Sequence, residues 1–230
     1  RAWDEAQQFP RDIFSKLGEL GLLAVVFPEE YGGSGMSTVD YTIVIEELAR
    51  VDAGVALSTA AHNSLSSGHI FLAGSEEQKK KYLPKLATGE IVGCFGLTEP
   101  NHGSDPGSMI TRARKVDGGY SLSGAKMWIT NSPIADIAVV WAKNDEGVIR
   151  GFILERGWKG IETPKIEGKF SLRASVTGAI MLQDVFVPGD ITLTFSHIER
   201  MVTGGAMPVG APLTLDKVPE LTTGSFFAGR

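Results

Sequence analysis

The stretch Gly93-Cys-Phe-Gly-Leu-Thr-Glu-Pro-Asn-His-Gly-Ser-Asp105 marks the point where the pattern of the chain changes. Its first half is an apolar strand that ends at Thr98, and its second half is a turn around Gly103 that presents Ser104. Small residues let a backbone approach a ligand closely, and hydroxyls and free N–H groups hold phosphate oxygens. On composition alone, an ordinary glycine-rich hairpin loop is the simpler interpretation, because such loops are common.

Upstream of this stretch, residues 1–90 carry helical patterns. Ser37 with Asp40, and Ser75 with Gln78, each fit a capping box, which predicts the start of a helix. The predicted helices are Ala2–Gln8, one around Ile13–Leu20, Val39–Arg50, Ala53–Ala73 and a basic helix after Ser75. The third of these is apolar on most of its faces, which predicts burial on several sides.

Downstream, short runs rich in Val, Ile, Trp and Phe alternate with turn residues, and Asp117-Gly118-Gly119 is a hairpin signal. The predicted strands are Ile91–Thr98, Ser108–Val116, Tyr120–Ile129, Ile137–Ala142, Arg150–Leu154 and Ile180–Val187. The order of elements predicts an α+β fold, with a helical domain over residues 1–90, a β-sandwich or barrel over 91–188 and an atypical tail over 189–230.

A second informative stretch is Lys126-Met-Trp-Ile-Thr-Asn131. On a regular strand alternate side chains share a face, so Trp128 and Thr130 are expected to point the same way. A flat aromatic ring beside a hydroxyl suits a planar ring system with a hydrogen-bonding nitrogen. The alternative is a core tryptophan beside a solvent-facing threonine.

Taken together, the Leu97-Thr-Glu-Pro100 and Gly103-Ser-Asp105 runs and the later Trp128-Ile-Thr-Asn131 run resemble the acyl-CoA dehydrogenase family over residues 1–188. The resemblance implies an N-terminal helical domain, a middle β domain and a C-terminal four-helix domain, with FAD at their junction. It also implies a flavoprotein oxidoreductase of fatty-acid or amino-acid catabolism, which transfers the β hydrogen of an acyl-CoA substrate to the flavin as hydride. The implied flavin-binding residues are Phe95, Gly96, Leu97, Thr98, Gly103, Ser104, Trp128, Ile129 and Thr130.

The same resemblance implies further roles and partners. Ser104 would also lie near the substrate thioester, and Thr130 near flavin N5. Electron-transfer flavoprotein would be the electron acceptor, the assembly would be a homotetramer, and the location would be the bacterial cytoplasm or the mitochondrial matrix, not the secreted fraction.

Residues 189–230 depart from the family pattern. They resemble the start of a 5-keto-4-deoxyuronate isomerase instead of a four-helix domain, and Ile191, Leu193 and Phe195 alternate as in a strand. The family's catalytic base is a carboxylate in or beside the four-helix domain, and Glu99 is not expected to replace it. We therefore expect no catalytic residue in this chain, a weak FAD affinity and negligible turnover. The alternative is a non-catalytic fragment or a chimeric remnant.

The sequence leaves the acyl chain open. The middle part resembles glutaryl-CoA dehydrogenase, including Asn131–Asp136 and Lys169–Ser175, whereas the helical part resembles short-chain members. After the Arg50-Val51-Asp52 motif, Ala56 stands where glutaryl-specific members are expected to carry Arg. Burying a substrate carboxylate without a partner is costly, so glutaryl-CoA is not assigned.

Composition excludes several other classes of function. A formal net charge of −5 argues against a nucleic-acid partner, and no run approaches the ~20 apolar residues of a membrane span. Cys94 is the only cysteine, so no internal disulfide forms. His62 and His69 have no companion ligands at suitable spacing, which predicts structural histidines and no metal site. His102, in the turn, is a candidate phosphate contact.

Overall fold

The structure, a computed structural model, describes residues 2–193. Helices occupy the first part of this range and strands the second. The helices are α1 (Ala2–Ala6), α2 (Asp12–Glu19), α3 (Thr38–Val51), α4 (Ala53–Ala60), α5 (Gly68–Ala73) and α6 (Glu76–Thr88). None of the helices within residues 2–193 is both long enough and apolar enough to cross a bilayer.

Both predicted capping boxes are confirmed. The Ser37 hydroxyl accepts from the Asp40 N–H and the Asp40 carboxylate accepts from the Ser37 N–H at the start of α3. Ser75 and Gln78 make the same reciprocal pair at the start of α6. Because each box satisfies N–H groups that have no partner within the helix, the two starts are fixed by local sequence.

The predicted helix over residues 53–73 contains a π-helical segment, Ala61–Ser67, between α4 and α5. Polar side chains are buried along this helical rod, namely Ser58, Thr59, His62, Asn63, Ser66, Ser67 and His69. The Gly93 N–H donates to His62 Nδ1 at 3.1 Å, so His62 Nε2 carries the proton and donates to the Leu86 carbonyl at 3.0 Å. His62 therefore joins the rod to α6 and to the first strand.

His69 is also hydrogen-bonded within the helical part, as expected for a structural histidine. His69 Nδ1 lies 2.6 Å from the Leu65 carbonyl, one helical turn away. No group of three or more potential metal-ligating side chains occurs between residues 2 and 193. Both buried histidines thus have hydrogen-bonding roles inside the helical part.

The prediction that the helix over residues 39–50 is buried on several sides is wrong. No residue of α3 is fully buried, and Val39, Ile43 and Val51 are 68%, 52% and 89% exposed. Within the described residues α3 packs chiefly against α4. An apolar pattern shows which faces of a helix are suited to burial, but it does not show whether another element packs against them.

The strands form one sheet. They are β1 (Gly93–Gly96), β2 (Arg112–Val116), β3 (Gly119–Thr130), β4 (Ile137–Lys143), β5 (Ile149–Glu155), β6 (Ile161–Glu162), β7 (Thr177–Pro188) and β8 (Thr192–Leu193). Their order is β6-β7-β3-β2-β4-β5-β8, and β1 lies parallel beside β4. The helical part followed by a mostly β part confirms the α+β class.

The strand predictions differ from the structure at their ends. The first strand stops at Gly96, and the second begins at Arg112 because Pro106–Ser108 forms a 3-10 turn. The two-residue strand β6 was missed, since two residues carry no readable alternation. The last predicted strand begins three residues earlier, at Thr177.

The start of the predicted atypical tail continues the sheet. Gly189–Ile191 forms a 3-10 turn and β8 pairs antiparallel with β5. Leu193 is fully buried, and the Gln78 side chain donates to the Asp190 carbonyl at 2.6 Å. The expected strand position at Phe195 and the rest of the tail lie outside the described residues.

The sheet and the helical part share one apolar core. Ile70, Leu83 and Leu86 from the helices and Trp141 and Phe152 from the sheet are almost completely buried in it. Close packing of this kind fixes each strand against the rod. Because β1 is held in this core, the position from which the following polar turn starts is fixed.

We expect acid to weaken the fold through His62. Burial lowers its pKa to about 4, whereas an unfolded histidine titrates near 6.5. The folded state keeps the ring neutral, so the stability it confers is complete above pH 6.5. That stability falls by up to about 1.4 kcal/mol per pH unit as the pH drops toward 4.

A His62→Gln variant removes this titration while retaining one donor and one acceptor. Urea unfolding between pH 7 and pH 4.5 should show a lower stability at pH 7 and a shallower loss in acid than the unmodified protein. Equal slopes for the two proteins would contradict the assignment.

Candidate functional site

The turn after β1 lies directly against β3. The Met127 N–H donates to the Thr98 carbonyl at 2.9 Å, and Lys126 Nζ donates to the Leu97 carbonyl at 3.1 Å. These two bonds bring the Leu97–Thr98 segment beside the residue that precedes Trp128. The two stretches singled out from the sequence therefore meet in the fold.

Trp128 lies in an irregular part of β3. Its φ is +63°, and the register with β7 shifts between Lys126 and Ile129. Positive φ is unfavourable for a bulky residue and costs about 1–3 kcal/mol when the surroundings impose it. The regular alternation assumed from sequence is therefore wrong at this point.

The exposure of the side chains follows the irregularity. Lys126 is fully buried although Trp128, two residues on, is 60% exposed. Ile129 is 3% exposed, and Thr130 is half-buried opposite Thr177 of β7. The strained backbone thus places the indole in solvent, and residues held in such conformations cluster at functional sites.

A buried carboxylate anchors the polar turn. Glu99 accepts hydrogen bonds from the Ile110 N–H at 2.7 Å, from the Thr111 N–H at 2.9 Å and from the Thr111 hydroxyl. The Lys126 ammonium donates to the same carboxylate at 2.9 Å. The segment from Leu97 to Thr111 is thus closed at both ends over β3.

The environment of Glu99 keeps it ionised. Burial alone would raise its pKa, but the Ile110 N–H, the Lys126 ammonium and the Thr111 hydroxyl together lower the pKa to about 2. Burial lowers the pKa of Lys126, and the Glu99 carboxylate opposes that change. A carboxylate so enclosed and so weakly basic is unsuited to take a proton from a substrate.

The other predicted flavin contacts differ in accessibility. The Phe95 ring packs on His69, with ring centroids 4.6 Å apart, and is half-buried like Leu97. Gly96 is enclosed by protein, since a Cβ there would lie 3.1 to 3.3 Å from side chains of Ile180, Val140 and Lys126. A larger residue at this position would crowd these three side chains.

The turn itself is open. Gly103 and Ser104 are exposed, and no protein atom lies within 4 Å of the position a Cβ would take on Gly103. Just before them, Glu99 and His102 exchange two backbone hydrogen bonds of 3.2 Å. Within the described residues no hydrogen bond links Ser104 to β3. Thr98 is therefore bonded to the strand that carries Trp128, and Ser104 is not.

Sequence reasoning missed two residues that build the site. Lys126 was read only as part of a strand, because its partner Glu99 lies 27 residues earlier in the chain and no local pattern indicates the pair. Asn131, at φ +69°, donates to the Ser58 carbonyl at 2.9 Å and ties the end of β3 to α4. Asparagine tolerates this left-handed conformation, which is a local signal for the turn.

Comparison with known proteins gives the family. Residues 1–90 match the family model "Acyl-CoA dehydrogenase, N-terminal domain", and residues 94–185 match "Acyl-CoA dehydrogenase, middle domain". The chain belongs to the acyl-CoA dehydrogenase family. Acyl-CoA dehydrogenases use FAD. The isomerase resemblance of residues 189–230 finds no support in these matches.

Individual members of the family are similar to this chain over most of its length. The mitochondrial isovaleryl-CoA dehydrogenase of Arabidopsis thaliana is 42% identical over 80% of the chain and 47% of its own length. The short-chain specific acyl-CoA dehydrogenase of Clostridium acetobutylicum is 41% identical over 80% and 50%. The chain spans about half the length of these curated relatives.

A solved structure agrees with the fold. Glutaryl-CoA dehydrogenase from Mycobacterium smegmatis, in complex with FADH2, superimposes with a TM-score of 0.83 at 39% identity. The match covers 88% of this chain and 52% of that one. The helical part and the β part are therefore arranged as in an acyl-CoA dehydrogenase.

We expect the strain at Trp128 to reverse the usual order of stability between valine and glycine variants of a strand residue. Valine is normally favoured over glycine there, but only glycine adopts positive φ freely. Trp128→Gly should be more stable than Trp128→Val by roughly 1–3 kcal/mol in urea unfolding. The strain would be disproved if the valine variant were equally or more stable.

Proposed function

We propose that the protein serves FAD-dependent α,β-dehydrogenation of an acyl-CoA thioester, as the N-terminal and middle part of an acyl-CoA dehydrogenase. The observation that carries this proposal is the contact of Thr98 with the strained segment that exposes Trp128. Membership of the family and the FADH2-bound structural relative support it.

The residues at the site fit a flavin. The exposed Trp128 indole offers a flat apolar surface, and Thr98 and Thr130, both half-buried, carry hydroxyl groups on the two segments that meet there. The open backbone at Gly103 and Ser104 offers N–H groups to an anionic ligand. Of the nine residues inferred from the resemblance, Gly96 and Ile129 are enclosed by protein, and the more accessible ones would hold FAD, which supplies the hydride acceptor when bound. The protein's own part is to bind the ring, orient it and exclude water from one of its faces.

The general base is proposed to lie outside residues 2–193. Of the carboxylates on the turn, Glu99 is enclosed, and Asp105 is exposed and accepts from the Ser108 hydroxyl. A carboxylate in or beside a C-terminal helical domain would fill the role, as the family resemblance implies. General-base catalysis contributes about 10²–10⁴-fold, so the 230-residue chain alone should turn over negligibly. The same proposal includes electron-transfer flavoprotein as the electron acceptor, assembly as a homotetramer, and a location in the mitochondrial matrix or the bacterial cytoplasm.

The proposal is tested by complementation. The chain is expressed alone and together with the C-terminal helical domain of the isovaleryl-CoA dehydrogenase relative; we call the second preparation the complemented protein. The complemented protein should be yellow and should bleach anaerobically on addition of an acyl-CoA, whereas the chain alone should not bleach. A complemented protein that folds but neither retains FAD nor bleaches would reject the proposal.

One observation favours a non-catalytic alternative. The exposed apolar side chains of α3, Val39, Ile43 and Val51, are suited to association of one copy with another. Sedimentation velocity distinguishes the two proposals. Concentration-dependent association without FAD binding supports the alternative, and a monomer that binds FAD tightly counts against it.

The structure also bears on the acyl chain. Ala56 is 3% exposed, and the rod over residues 53–73 contains no Lys or Arg. Burial lowers the pKa of both His62 and His69 to about 4, so neither is a cation at neutral pH. A carboxylated acyl tail would find no counter-charge on this rod, and we propose an uncharged short acyl chain as substrate.

The complemented protein should bleach with butyryl-CoA or isovaleryl-CoA and not with glutaryl-CoA. Ala56→Arg should improve the ratio of glutaryl-CoA to butyryl-CoA reduction rates by at least about tenfold, equivalent to 1.4 kcal/mol. Ala60→Arg on the same helix serves as the matched control and should leave the ratio unchanged. Glutaryl-CoA preference in the unmodified complemented protein would contradict this assignment.

A further inference from the structure

A buried ion pair lies beneath the proposed flavin site. Lys126 Nζ and Glu99 Oε1 are 2.9 Å apart, with their side chains 0% and 1% exposed. Removing two charges from water costs several kcal/mol for each ion, and an apolar pair of similar volume is often at least as stabilising. Stability alone is therefore a poor explanation for this pair.

The pair is bonded to the backbone at both ends of one loop. On the side of β1, the Lys126 ammonium donates to the Leu97 carbonyl. On the side of β2, the Glu99 carboxylate accepts the N–H groups of Ile110 and Thr111. The two side chains thus hold the entry and the exit of the loop from Leu97 to Thr111 against β3.

Two proposed flavin contacts depend on this attachment. Thr98 lies between Leu97, whose carbonyl accepts from Lys126, and Glu99, which is a member of the pair. The Thr98 carbonyl also accepts the Met127 N–H. Trp128 follows Lys126 by two residues, across the register shift. A displacement of the pair would therefore move Thr98 and Trp128 relative to each other.

We propose that Glu99 and Lys126 are positioning residues that set the placement of Thr98 against Trp128 and thereby the affinity for FAD, an inference that rests on the proposed function. Neither side chain touches the ligand. Each acts through backbone groups that it holds by hydrogen bonds. The pair is retained for the geometry of the loop, as buried ionic groups are in some proteins where they specify one arrangement.

The main test uses the double variant Glu99→Gln/Lys126→Met, which removes both charges at nearly constant volume. In the full chain, hydrogen exchange of the Ile110 and Thr111 amides should accelerate at least tenfold, because Gln offers only one acceptor oxygen, while amides of β4 keep their protection. In the complemented protein, the FAD dissociation constant, measured by flavin fluorescence, should rise at least tenfold, equivalent to about 1.4 kcal/mol.

Two further variants separate positioning from stability. Lys81→Met/Glu155→Gln neutralises an ion pair of 2.7 Å between α6 and β5, and it should leave the FAD dissociation constant unchanged. Glu99→Asp keeps both buried charges but retracts the carboxylate, so it should weaken FAD binding even if the double variant fails to fold.

Wild-type FAD affinity in Glu99→Asp, or in a folded double variant, would overturn the proposal. So would unchanged exchange at Ile110 and Thr111 in the double variant. If the unmodified complemented protein binds no FAD, the proposed function fails instead, and the exchange rates still report whether the pair holds the loop.

Discussion

The site depends on one contact, the attachment of the turn after β1 to the strand β3. The Met127 N–H bonded to the Thr98 carbonyl joins the two segments, and the Glu99–Lys126 pair holds both ends of the loop around that contact. Without this attachment the turn would lose its hydrogen bonds to β3 beside the strained residue Trp128. The helical rod and the shared apolar core supply the rigid base from which the turn begins.

Local patterns predicted the elements whose causes are local. The capping boxes at Ser37 and Ser75 bring donor and acceptor together within one helical turn, so sequence spacing is sufficient to find them. The order of helices and strands was likewise readable from the change in hydrophobic period near residue 91. The family was recognisable because its two motif stretches are specific in sequence, not because composition or period required it.

The remaining features depend on contacts between residues far apart in the chain, which the pattern of a single sequence does not reveal. The bulge at Trp128 arises where β3 pairs with β7, about fifty residues away in sequence, and regular alternation gives no sign of it. The burial of Lys126 depends on a partner that arrives from the turn after β1. The exposure of α3 depends on which elements reach it, although its composition suggested a buried helix.

The central claim is that the turn and the bulge form one ligand surface. It is tested most directly by titrating the ¹⁵N-labelled chain with FAD and following its amide and indole NMR signals, since such a titration detects weak binding. We expect the amides of Thr98, Gly103 and Ser104 to shift together with the amides of Trp128 and Thr130 and the Trp128 indole N–H, all with one dissociation constant. Shifts confined to only one of the two segments, or located elsewhere on the chain, would contradict the claim.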